Sequence, residues 1–267
     1  MKYFEIAKRL SLEKYLFLGQ VMFDDFNQVV LIEENKKISF SLNKEKKIQE
    51  IWEKHLLDNP NDFDGAIGSI MEISEKQGIL KIRFRRGRFS QFYSTFDKRK
   101  ERINLSSNPL DKGTCLPISF GAVTTTQPSL KNPNGCILFA KRTNTAFDPE
   151  VITLLPGGYF DPEKDNSIFS TIFRELLEET GIVMNNIKVS FLGIVYNSYG
   201  SRQPLIACHL NIPTIKEKIE LNIDEETEEV FFIDNDIDSV REFIRNKKIA
   251  VHDAWKIILY FNKMLNN

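Results

Sequence analysis

Three glutamates, Glu175, Glu178 and Glu179, stand in the string Arg174-Glu175-Leu176-Leu177-Glu178-Glu179-Thr180-Gly181-Ile182. On a helix, spacings of three and four bring side chains to one face, so these carboxylates project together within reach of a shared ion. Like charges so placed cost roughly a few tenths of a kcal/mol per pair, and more when partly buried. A hard divalent cation relieves that repulsion. Oxygen-only ligands favour Mg²⁺, or Mn²⁺ in its place, over zinc, because no His or Cys lies in the segment. Upstream, Leu155-Pro156-Gly157-Gly158 offers backbone that a phosphate can approach closely, since glycine puts no side chain in the way. Taken by themselves, the acidic residues also fit a solvated helix face.

The elements that must position these groups can be read from periodicity. Ile168, Ile172 and Leu176 recur every four residues, which predicts a helix over 168–180 with one face packed on a sheet. Gly181 falls where a left-handed C-cap belongs, with Ile182 to make the accompanying apolar contact. Around this helix, strands are expected at 118–126, 136–141, 187–196, 205–212 and 230–233, with a turn-rich loop at 128–134. Amphipathic helices are expected at 236–245 and 252–264. In the first half, strands at 21–23 and 29–32 flank the Asp24-Asp25-Phe26-Asn27-Gln28 turn. A helix follows over 44–57, then a strand pair at 66–73 and 79–84 joined by Glu75-Lys76-Gln77-Gly78. The polar stretch 98–112 is the expected boundary between a small α+β domain (1–112), which would select substrate or dimerise, and a second domain (113–267). No internal repeat or low-complexity tract is present.

Composition narrows the function classes. The chain has 267 residues, 42% of them hydrophobic, and 36 Lys plus Arg against 37 Asp plus Glu. Such balance gives no electrostatic attraction for nucleic acid. The basic group Lys81, Arg83, Arg85, Arg86 and Arg88 alternates along a strand and reads as a solvated face. Cys115, Cys136 and Cys208 are odd in number, far apart and set among apolar residues. They read as buried thiols in a reduced, cytoplasmic setting. With no apolar run near the ~20 residues a bilayer needs, a soluble protein without a membrane partner is expected. His55, His209 and His252 read as structural.

The string Arg174 to Ile182 resembles the Nudix signature, GX5EX7REUXEEXGU with U aliphatic, at every specified position of its second half. Its first half departs from the pattern. Counting back from Arg174 puts Asn166 at the early acid and Phe160 at the glycine. A two-residue insertion within 160–166 restores the match, with Gly158 as the signature glycine and Glu163 or Asp165 near the early acid.

The resemblance implies an α+β fold: a Nudix α/β/α sandwich with a mixed sheet, preceded by the small α+β domain. It also implies Glu175, Glu178 and Glu179 as metal ligands, oriented by Arg174, with Mg²⁺ as cofactor. A general base lies in this helix or in a later loop, for which Asp224-Glu225-Glu226-Thr227-Glu228-Glu229 supplies candidates.

The front region is similar to that of Nudix proteins that hydrolyse UDP-glucose. The similarity rests on Trp52, Asn59-Pro60, Phe63-Asp64-Gly65, Arg88-Phe89-Ser90-Gln91-Phe92-Tyr93 and, further on, Asn108-Pro109-Leu110, Lys141-Arg142 and Pro156-Gly157-Gly158. It implies Phe63 and Phe89 stacking on a base and Arg142 pairing with the diphosphate, beside Gly157 and Gly158. As residues alone, Phe63 and Phe89 fit core anchors better than a stacking role, and Arg142 fits an exposed strand-end charge equally well. The implied reaction is Mg²⁺-dependent hydrolysis of a UDP-sugar to UMP and a sugar 1-phosphate. ADP-ribose, a dinucleotide or a nucleoside triphosphate are alternative substrates, and a silent nucleotide-binding sensor is the alternative of another class. A homodimer is compatible with all of these.

Overall fold

The computed structural model describes residues 2–35, 37–60, 62–95, 115–143, 151–183, 186–197, 203–223 and 225–266. The chain opens with helices α1 (Lys2–Leu10) and α2 (Glu13–Leu16), strands β1 (Gly19–Phe23) and β2 (Gln28–Glu33), and helix α3 (Leu42–Asp58). Next come β3 (Ala66–Lys76), β4 (Ile79–Arg88) and α4 (Phe89–Thr95). The second half runs β5 (Ser119–Gln127), β6 (Cys136–Arg142), β7 (Ile152–Leu154), β8 (Gly157–Tyr159) and α5 (Ile168–Thr180). It continues with β9 (Lys188–Asn197), β10 (Pro204–Ile215), β11 (Thr227–Asp234), α6 (Ile237–Ile244) and α7 (Val251–Asn266). Among the described residues, no helix is long and apolar enough to cross a membrane.

The main sheet has strand order β1-β9-β10-β5-β6-β11, with β7 paired to β6 and β8 to β5. It is mixed, since β10 runs parallel to β5 while its other pairs are antiparallel. Alternation along the strands sorts side chains onto two faces. One face, with Val123, Ile137, Phe139, Val195 and Ala207, packs against α1, α2, α6 and α7 through Leu10, Tyr15, Val240, Ile257 and Ile258. The other, with Phe120, Ala122, Ile194, Ile206 and Leu210, packs against Ile168, Ile172 and Leu176 of α5. An α/β/α sandwich results, as the resemblance implies.

The three-stranded sheet β2-β4-β3 shares that second core, through Phe26, Ile70, Leu80, Ile82 and Phe84. Main-chain bonds stitch it on: Ile70 N–H donates to Leu116 O at 2.7 Å, Ile118 N–H to Gly68 O at 2.7 Å and Gly68 N–H to Phe160 O at 3.0 Å. The division at 112/113 falls outside the described residues. On either side of it, though, the halves are interwoven, because β1 is the edge strand of the main sheet and α1 lies against α7. β1 and β2, expected on either side of one turn, therefore enter different sheets: β1 pairs with β9, and β2 runs parallel to β4.

Candidate active site

Helix α5 begins and ends where its residues dictate. The Ser167 hydroxyl accepts from Ser170 N–H at 3.2 Å, and the Ser170 hydroxyl accepts from Ser167 N–H at 3.0 Å. This reciprocal cap satisfies two of the helix's orphan donors. At the other end Gly181 has φ 72° and donates to Leu177 O at 2.9 Å, the left-handed cap its position predicts. With Ile168, Ile172 and Leu176 buried, the helix cannot rotate without exposing apolar surface worth roughly 1.5–3 kcal/mol per side chain. Its acidic face is thereby aimed at β8.

Strand β8 carries the glycine pair. It lies antiparallel to β5, with Gly157 opposite Gly121 and Gly158 opposite Phe120. A Cβ built on Gly158 would overlap the Glu175 carboxyl group, so glycine there is a condition of helix and strand approaching as closely as they do. Gly157 N–H donates to Glu179 Oε2 at 3.2 Å. Two of the three glutamates thus touch this strand.

Arg174 is the hub of the site. Its Nε and Nη2 reach the two carboxylate oxygens of Asp165 at 3.1 and 3.0 Å, a bidentate pair. Its Nη1 lies 2.9 Å from Glu175 Oε1 and 2.9 Å from Glu178 Oε2, and its Nη2 also donates to Tyr159 O at 3.2 Å. The Asp165 side chain is 2% exposed. Of the two acids left open by the sequence, Asp165 meets Arg174, whereas Glu163 N–H bonds within its own loop to Asp161 at 2.8 Å. Asp165 stands nine positions before Arg174, one more than the signature's eight, so part of the insertion falls on each side of it.

One guanidinium here faces three carboxylates, those of Asp165, Glu175 and Glu178, while the fourth acid, Glu179, is held by Gly157 N–H. Burial pushes Glu175 up to about 7, with Glu178 adding to the shift and Arg174 opposing it. Burial disfavours the charge of Arg174 as well, but the Asp165 hydrogen bonds and the surrounding carboxylates raise its pKa and keep it charged. Because Arg174 draws Glu175 and Glu178 while Gly157 takes Glu179, no three acidic groups meet at one point among the described residues. The donor set still suits a hard dication: oxygen-only side chains, excess negative charge, and a buried carboxyl that lacks enough positive partners to ionise fully.

The other residues singled out in the sequence are dispersed. Phe63 is 68% exposed, with Lys164 Nζ 5.6 Å from its ring centroid. Phe89 is half-buried in an aromatic cluster, 6.0 Å from Trp52, 5.7 Å from Phe92 and 5.9 Å from Tyr159. Arg142 is paired with Glu226, and Lys141 with Glu228 at 2.8 Å, so these two acids of the run partner the end of strand β6. Asp224 lies outside the described residues. Arg83 and Arg86 of the basic strand pair with Glu34 and Glu33. His209 is held by Thr125, Oγ1 to Nε2 2.8 Å, and the three cysteines are buried and unbridged.

No family model and no curated protein matches the chain. Solved structures similar to it include the NUDIX domain of Shewanella oneidensis NrtR complexed with ADP ribose, 20% identical at TM-score 0.42, covering 57% of this chain and 90% of that one. MutT protein from Methanosarcina mazei Go1 is 19% identical at TM-score 0.41, with 57% and 95% covered. A C. elegans Ap4A hydrolase in a binary complex is 13% identical at TM-score 0.41, with 57% and 100% covered. Similarity at this level assigns no activity.

Proposed function

We propose that the chain is a divalent-metal-dependent hydrolase of the Nudix type that cleaves a diphosphate linkage. The observation that carries this reading is the Arg174 hub: one cation among the carboxylates of Asp165, Glu175 and Glu178, set against a glycine strand that admits the Glu175 carboxyl group and holds Glu179 by a backbone N–H. Glu175, Glu178 and Glu179 would hold Mg²⁺ or Mn²⁺. When bound, such an ion supplies charge neutralisation on the diphosphate and acidifies a water. The chain's own part is positional. Asp165 fixes the Arg174 plane, Arg174 keeps Glu175 and Glu178 on the side facing the glycine strand, and Gly157 N–H holds Glu179. Hydrolysis adds water across one P–O bond, so two phosphomonoesters leave.

The particular substrate we propose is a nucleoside diphosphate sugar such as UDP-glucose, giving UMP and glucose 1-phosphate. The order of front-region residues, from Trp52 through Phe63-Asp64-Gly65 to Lys141-Arg142, supports it. Chromatography of products from a panel of UDP-glucose, ADP-ribose, dinucleotides and nucleoside triphosphates with Mg²⁺ tests both levels. Release of UMP is expected, falling about 10²–10³-fold in Glu179→Gln, as for loss of a group that stabilises transition-state charge. Undiminished turnover by that variant would sink the reading.

A further inference from the structure

Helix α7 carries an ion pair into the core. Asp253 and Lys256, one helical turn apart, are 4% and 3% exposed and paired with each other. So deep a pair adds little to stability, because desolvation offsets the attraction, although losing one member alone is costly. Among the described residues, Asp253 is the one hydrogen-bonding or ionic partner of the Lys256 ammonium. An ammonium carries several donors, and a buried donor left without an acceptor costs free energy. Donors therefore remain for a ligand.

The ammonium is pressed onto β5 at Gly121, where a built Cβ would overlap it and would lie 3.1 Å from Lys256 Cδ. Gly121 faces α7, since Phe120 and Ala122 on either side of it belong to the core under α5. Its antiparallel neighbour is Gly157, so the two bare positions share that face, about 5 Å apart. Over Gly157 the face is open: within 4 Å a Cβ there would meet only Phe120 O, at 3.7 Å. The outer edge of the same residue belongs to the acidic site. Pro156 O accepts from Ala122 N–H and Phe160 N–H donates to Ile118 O, both at 2.9 Å. That pairing with β5 turns the intervening Gly157 N–H outward, where it holds Glu179 at 3.2 Å. Lys256 and Glu179 thus flank one glycine, the cation beside its bare face and the carboxylate at its edge.

We propose that Lys256 contacts the substrate, donating to a phosphate oxygen seated over the bare face of Gly157, with Asp253 holding the ammonium in place. This deepens the reading given under Proposed function and rests on it for the presence of a diphosphate. Isothermal titration of the full chain with methylenediphosphonate and Mg²⁺ measures such binding without turnover, because the P–C–P bridge resists hydrolysis. The charge-free double variant, Lys256→Met with Asp253→Leu, leaves no buried charge alone and is expected to fold. It should weaken the probe about tenfold to a hundredfold, the worth of a hydrogen bond to a charged group. Gly157→Ala keeps the ion pair and has room for its methyl, so it is expected to melt as wild type and to weaken the probe about tenfold or more. Added to the double variant it should cost little further, since both changes remove one contact. In the wild type, the Lys256 Nζ signal in nitrogen NMR is expected to move when the probe binds. A signal that stays in place overturns the proposal whether or not the double variant folds, as do wild-type affinity in that variant and a wild type that does not bind the probe. Turnover of UDP-glucose with an unchanged KM in both variants would also overturn it while leaving the hydrolase intact. Probe binding that needs Lys256, in a protein that hydrolyses nothing, would sustain the site and remove the hydrolase.

Discussion

Asp165 is the side chain through which the candidate site is held in shape. A buried carboxylate that takes both arms of Arg174 acts on Glu175 and Glu178 through that arginine, and where such glutamates hold a metal, removing the orienting partner typically costs 10–100-fold. Asp165→Asn is therefore expected to lower turnover by about that factor and to raise the Mg²⁺ concentration needed for half-maximal rate. A magnesium titration of initial rates checks it, and an unchanged titration curve would remove Asp165 from the account. A second residue-scale outcome concerns His209. Burial, with the charge of Lys263 behind it, holds its pKa at about 4, below the usual 6.5. The unfolded chain then binds a proton that the native one refuses, so this contribution to stability is full above pH 6.5 and is lost as pH falls toward 4. His209→Gln is expected to flatten that part of the stability–pH curve, by at most roughly 3 kcal/mol on the scale of 1.36 kcal/mol per pKa unit. Urea melts at pH 7, 5.5 and 4.5 measure it.

Among elements, α5 and β8 show what a sequence can disclose. The stripe Ile168, Ile172, Leu176 and the cap Gly181 fix the helix ends at Ile168–Thr180 as expected, because apolar period and a glycine stop act within a few residues of each other. The acidic spacing likewise announces a shared face. Hidden in the sequence was how that face divides itself between Arg174 and Gly157, which depends on strand–helix proximity. The choice of Asp165 over Glu163 depends in the same way on the folded loop. β8 is too short to show a period, and Lys2–Leu10, whose Ile6, Ala7 and Leu10 are buried, gives only two turns in which to show one. Gly181→Ala is expected to destabilise by about 1 kcal/mol or more, from left-handed strain and a Cβ 2.9 Å from Asn222 Cβ; thermal denaturation checks this. Gly158→Ala, which puts a methyl into the Glu175 carboxyl group, is expected to abolish turnover while the protein still melts cooperatively.

At the scale of the molecule, both cores draw on the two halves of the chain. Ile6, Ala7, Leu10, Leu12 and Tyr15 are buried against α7 and the main sheet, and each large side chain among them is worth about 1.5–3 kcal/mol of burial. Together that rivals the ~5–15 kcal/mol total stability of an ordinary domain. A fragment of residues 113–267 is accordingly expected to lose near-ultraviolet circular dichroism and to bind a dye for exposed apolar surface. A sharply melting fragment would show that the second half stands alone.

Trp255 Nε1 donates to Tyr15 O across 240 residues of sequence, and edge strand β1 finds its partner only at Lys188–Asn197. During synthesis the first helix and strand must therefore wait, their apolar sides bare, until nearly all of what lies between has left the ribosome. Translation at ~5–20 residues per second makes that interval on the order of ten seconds or more. Chaperone occupancy of the nascent chain should persist for that time and end abruptly once β9 and α7 emerge.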